Sequence, residues 1–175
     1  MIPSHTLEIV VPRLRELAQV GIPSLSQAAD TALLVHNAVK RVKCNKAEFE
    51  ELGMDAALLL YVAADELREK GQRNIKGKAK GDIDSLTGVL QKILDLAQAD
   101  ATRCDCFAFW YSDAARIKSL REELEQRLQT FDVRSFNELH DKASERVNKR
   151  SHRPDKAKYE RGLTSRSSSK TSDSM

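Results

Sequence analysis

The sequence predicts an all-α fold: an antiparallel up-down four-helix bundle with a short extra C-terminal helix and a disordered basic tail. Three observations carry this. Apolar residues recur at three- and four-residue steps along four stretches between Leu25 and Phe131. Aromatic residues make up 5% of the 175 residues and charged residues 31%, a balance that suits amphipathic helices better than strands. The link between the first two stripes is so short that their helices must fold back on each other. Stripes at the helical period bury one another, and a bundle follows.

Residues 1–21 form an N-terminal segment. Leu7, Val10, Leu14 and Leu17 share a helix face, but Pro12 would fall inside a long helix, so a short helix starting near Pro12 is expected. Pro23 and Ser24 open the first bundle helix, about 24–43, striped by Leu25, Ala29, Leu33, Val39 and Val42. After the break at Cys44-Asn45, Asn45 caps the second helix, with Glu48 placed to reach back to the open backbone donors. That helix, about 46–70, carries Phe49, Leu52, Ala56, Leu59, Ala63 and Leu67, contains the unbroken apolar run Ala56–Ala64, and ends at Gly71.

Residues 71–81 hold three glycines among lysines and read as a loop. Asp82 caps the third helix, about 83–102, with Ile83, Leu86, Leu90, Ile93 and Ala97 on its stripe. Gly88 inside it costs about 1 kcal/mol relative to alanine, which a close helix crossing would explain. Phe107, Phe109, Trp110 and Tyr111 cluster at the turn into the fourth helix and close one end of the bundle. Asp113 caps that helix, which reaches about Gln129, with Glu123 and Arg127 paired four residues apart. Ile117, Leu120, Leu124, Leu128 and Phe131 complete the bundle domain, 22–132. Phe136, Leu139, Ala143 and Val147 repeat the spacing in a short helix within 133–147. Residues 148–175 are basic, serine-rich and poor in apolar residues, and cannot offset their own ordering entropy.

Sites of chemistry fail on inspection. Gly71 to Lys78 is one residue too long for a phosphate-binding loop, Ala79 stands where the hydroxyl is needed, and no strand precedes it. Cys104 and Cys106 lack partners at zinc-site spacing among Cys44 and four scattered histidines. His36, beside Val35 and Val39, reads as a packed or edge histidine. No cofactor is implied, and a non-enzymatic role is expected. Three cysteines make no disulfide framework, no stretch has the roughly 18 apolar residues that span a bilayer, and residues 1–20 lack the basic region, apolar core and cleavage site of a secretory leader, so secretion is not expected. A soluble, cytoplasmic chain with reduced thiols is expected.

Charge is more telling than composition. Residues 148–175 carry eight Lys or Arg against three acids, which leaves 21 basic and 23 acidic residues in 1–147. Arg68, Lys70, Arg73, Lys76, Lys78 and Lys80 lie within thirteen residues, opposed only by Glu69. Such a loop suits anionic headgroups, at about 1 kcal/mol per basic residue near an acidic membrane. Arg41, Lys43 and Lys46 should sit at the opposite pole, because the second helix runs away from the first turn. Without interleaved aromatics or a reading motif, nucleic acid is not an expected partner.

The run Val42-Lys43-Cys44-Asn45-Lys46, followed by Phe49, Leu52 and Leu58-Leu59-Leu60, resembles the first helical corner of the four-helical N-terminal domain of the mixed-lineage kinase domain-like family. That group takes in related fungal domains of the HeLo-type cell-death class. Leu67 to Gly71, Leu86-Thr87-Gly88-Val89-Leu90-Gln91-Lys92-Ile93-Leu94 and Asp113 to Leu124 extend the likeness, which covers about Ile22–Phe131. Phe49 stands where many relatives carry cysteine. The resemblance implies a signalling or effector module that self-associates, binds acidic phospholipid, permeabilises membranes and is held back by a regulatory region or protein partner. It makes Arg68, Lys70, Arg73, Lys76, Lys78 and Lys80 candidate lipid contacts at the inner face of the plasma membrane. It makes Phe136, Leu139, Ala143 and Val147 a candidate latch. The fold class is also grouped with the helical region of Cbl-type adaptors, so a scaffold for protein partners in receptor signalling is the competing expectation.

Overall fold

The computed structural model describes residues 4–19, 22–69, 77–102 and 110–151, and every regular element among them is helical. In chain order these are α1 (Ser4–Ala18), α2 (Pro23–Val39), α3 (Lys46–Glu69), α4 (Lys78–Thr102), α5 (Trp110–Thr130) and α6 (Phe136–Ser151). Helix α3 is the axis of the assembly and touches all five others. From Leu52 to Leu67 it is buried on every side, save for half-buried Met54 and Glu66. The apolar run Ala56–Ala64 explains this position, since a helix that is apolar all round has no face to give to water.

The N-terminal helix differs from expectation. Rather than starting near Pro12, α1 runs from Ser4 straight through it. Proline removes one backbone hydrogen bond, but Pro12 faces solvent, while Val10, Leu14 and Leu17 are buried at helical spacing against α2 and α3. Packing along that stripe outweighs the lost bond.

The first hairpin is held from outside. Helix α2 stops at Val39, four residues before the expected end, and the Asp100 carboxylate of α4 accepts from the amides of Lys43 (2.7 Å) and Cys44 (3.2 Å). Asn45 then turns at φ 52°, a left-handed conformation that asparagine tolerates, and its carbonyl accepts the Phe49 amide at 3.0 Å. Helix α4 begins at Lys78, not after Asp82, because Gly77 at φ 63° supplies the turn and accepts the Gly81 amide. Asp113 lies within the first turn of α5 rather than ahead of it. Glu123 is engaged by Lys92 of α4 at 2.8 Å instead of resting on its own helix.

The close crossing belongs to a different glycine. A methyl group on Gly53 would lie 3.1 Å from Val35 Cγ1 and 3.4 Å from Val39 Cγ1, so Gly53 is where α2 and α3 meet. Gly88 is exposed, and a methyl there would meet nothing within 4 Å. Gly88→Ala should therefore stabilise the chain by about 1 kcal/mol through helix propensity alone. The check is a rise in thermal midpoint; a fall would place an unseen neighbour on that face.

Helix α5 ends in a two-bond cap. Asp132 sits at φ 54°, its amide donates to Gln129 O (3.3 Å), and the next amide, Val133, donates to Leu128 O (3.0 Å). Val133 and Leu128 are both buried, which supplies the apolar contact that accompanies this motif.

Candidate functional site

The six basic residues of the candidate lipid contact are placed in part. Arg68 lies exposed in the last turn of α3, and Lys78 and Lys80 lie exposed in the first turn of α4. Lys70, Arg73 and Lys76 fall outside the described residues, as do Cys104, Cys106, Phe107 and Phe109. Arg68 shares a shallow cleft with Arg13, Leu17, Tyr61 and Asp65. Lys46 opens the same helix that Arg68 closes, so these charges stand about 35 Å apart at opposite ends of α3.

The candidate latch residues lie together on α6. Leu139 and Ala143 are fully buried, Val147 nearly so, and Phe136 is half-buried. Their spacing of three, four and four puts them on one helical stripe. Ser135 precedes them, and its Oγ accepts the Glu138 amide at 3.3 Å while the Glu138 carboxylate accepts the Arg134 amide at 2.8 Å. This reciprocal cap fixes where α6 starts.

Helix α6 packs chiefly on α3 and runs beside it in the same direction, since His140 meets Asp55 and Arg146 meets Asp65. His140 Nε2 lies 2.7 Å from Asp55 Oδ1. Arg146 forks between Asp65 Oδ2 (3.1 Å) and Glu66 Oε1 (3.0 Å). Asp55 is 1% exposed, so α6 supplies a polar partner to a carboxylate that water scarcely reaches. On the other flank, Arg121 of α5 binds Glu51 at 2.7 Å, stands 3.8 Å from Asp55 Oδ2, and covers the Phe136 ring at 5.2 Å.

No family model, curated protein or solved structure matches this chain. Function must therefore be read from the seam itself. Beside it opens a groove of about 710 Å³ between α1 and α2 on one side and α5 and α6 on the other. Val10, Leu14, Val39, Met54 and Phe136 give it an apolar lining, while Arg121 and His140 stand at one wall and His36 and Lys40 at the other. Among the described residues no cluster of three His, Cys, Asp or Glu is placed to hold a metal, and no helix is long and apolar enough to cross a membrane.

Burial pushes the Asp55 carboxyl above the ordinary carboxylate range, against the opposing pull of His140 and Arg121. Glu51 moves the other way, held below that range by its bond to Arg121. Burial also lowers His36, helped by Lys40 and Arg15. The sign for Asp55 follows from linkage: a raised folded value stabilises fully below the unfolded value of 3.8 and loses that contribution as pH rises through the folded one. Asp55→Asn has no such loss. The variant should gain on the parent as pH rises above 3.8, read as the difference between their urea midpoints along a pH series. A difference that stays flat or drifts toward the parent would mean that His140 and Arg121 overcome burial.

The polar anchors were not legible as anchors in sequence. His140 and Arg146 lie on α6 beside the apolar stripe rather than on it, and their partners lie 85 and 81 residues back. One signal was available: Ser135 followed by Glu138 is the capping pattern that announces a helix start.

Proposed function

We propose that this chain is a non-enzymatic signalling or effector module that self-associates and engages acidic phospholipid in a regulated cell-death or immune pathway. In this reading α2 to α5 are an antiparallel up-down four-helix bundle, α6 is its latch, and the chain works in the cytoplasm with recruitment to the inner face of the plasma membrane. One observation carries it: the latch stripe is seated on α3, the helix with the most apolar surface to release. Unseating α6 exposes that surface next to buried Asp55 and Asp65, while Arg68, Lys78 and Lys80 remain free to meet anionic headgroups.

Vesicle leakage tests the proposal. Leakage should require acidic lipid, fall as salt rises, and fall again when Arg68, Arg73, Lys76, Lys78 and Lys80 become glutamate. Intact vesicles at every lipid composition would defeat it. The groove beside α6 favours a second reading, an adaptor that lays a partner helix against its apolar lining. Stable capture of one protein partner, unchanged by the glutamate substitutions, would select that reading instead.

A further inference from the structure

We propose that α6 exchanges between two copies of this chain, with residues 131–135 as the hinge, so that each copy's α6 seats on the other's α3. This gives the self-association in the preceding reading a structural route, and its test needs no membrane.

The hinge carries the argument. The segment Phe131-Asp132-Val133-Arg134-Ser135 contains no glycine and no proline. Its one left-handed residue is Asp132 at φ 54°, and the non-helical stretch runs on from there through Ser135. An L-residue resists that region, and aspartate resists it less than most. If Asp132 and residues 133–135 take helical angles, α5 and α6 become one helix from Trp110 to Ser151, about 60 Å long. The longest helix of the closed chain, α4, has 25 residues and spans about 38 Å. Straightening therefore carries α6 clear of its own α3.

The vacated seat cannot stay bare. It holds the apolar surface that met Leu139, Ala143 and Val147, together with Asp55 and Asp65, both nearly inaccessible to water and each facing a cation or imidazole of α6. A buried carboxylate deprived of such a partner is strongly disfavoured. A second copy offers the one helix that already fits, with His140 for Asp55 and Arg146 for Asp65 and Glu66. Helix α6 is also only lightly held by its chain neighbour α5, so the contacts it gives up are almost all ones the second copy restores. Exchange of an identical element in this way is a low-cost route to a dimer.

The hinge sets the balance between forms. Asp132→Ala raises the cost of the closed turn and Asp132→Gly lowers it, each by about fivefold per hinge. A dimer has two hinges, so the dimerisation constant should rise about 25-fold in D132A and fall by a similar factor in D132G. Light scattering on the full chain over a concentration series reads this. To show that α6 crosses, light and ¹⁵N-labelled R146K chains are unfolded together, refolded and treated with carbodiimide, which joins the amine at position 146 to the Asp65 or Glu66 carboxylate. In the dimer fraction, links that pair one label with the other are expected. Links that pair only like labels would overturn the exchange, as would a parent and a D132A that stay monomeric at every concentration. Should D132A fail to fold, the fall in D132G and the mixed-label links in R146K still decide. Vesicle leakage by a chain that never exchanges α6 would leave the membrane reading standing and remove this one.

Discussion

Arg146→Glu should lower stability by about 3–5 kcal/mol and free α6 from α3. Arg146 is 17% exposed at its side chain and Asp65 only 5%, so their bond at 3.1 Å is largely shielded from water. Glu66 takes the second arm of the guanidinium at 3.0 Å. Reversing the charge removes the cation and sets a third carboxylate against the two already there. The loss should appear as a lower urea midpoint and, if α6 is the latch, as leakage of acidic vesicles at lower protein concentration. Pairing the change with Asp65→Asn should recover part of the stability, because the two residues act on one another. A loss below about 1 kcal/mol, the range of surface ion pairs, would mean that this fork does not fix α6 on α3.

Phe49→Ala should cost a similar amount, about 3–5 kcal/mol, by a different route. Phe49 is fully buried in the first turn of α3 and heads the order of largest enclosed side chains. Truncation leaves a cavity that the surrounding helices can close only in part, because α3 is hemmed in by all five neighbours. Against a total stability of about 5–15 kcal/mol for a domain, the variant should melt many degrees lower. Phe49→Cys, the residue the resemblance implies at this point, should lose less. If Phe49→Ala leaves the thermal midpoint in place, the N-terminal turn of α3 is not the anchored end that its burial indicates.

Most of the helices were legible because their signals are local. The stripe from Leu25 to Val39 and the run Ala56–Ala64 both declare their period within one segment, and the latter also declares a helix without a polar face. What was not legible depends on residues far apart in the chain. Gly88 and Gly53 look alike in sequence; only the position of Val35 and Val39 across the crossing separates an idle glycine from a necessary one. Pro12 looked like a helix start because its local effect is adverse, and the packing of Val10, Leu14 and Leu17 overrides it. Asp100 carries no local signal in the sequence, yet it ties down the α2–α3 turn. At the seam, the stripe Leu139, Ala143 and Val147 was visible, while His140 and Arg146 gained meaning only once Asp55 and Asp65 were found beneath them.

The 85-residue span between Asp55 and His140 also has a consequence in time. A ribosome adding about 5–20 residues per second makes Asp55 roughly 4 to 17 seconds before His140. Through that interval the nascent chain holds its most water-averse helix with one side still uncovered. Holdase chaperones that recognise greasy segments have their opening then, and crowded polysomes bring neighbouring unfinished chains within reach of the same surface.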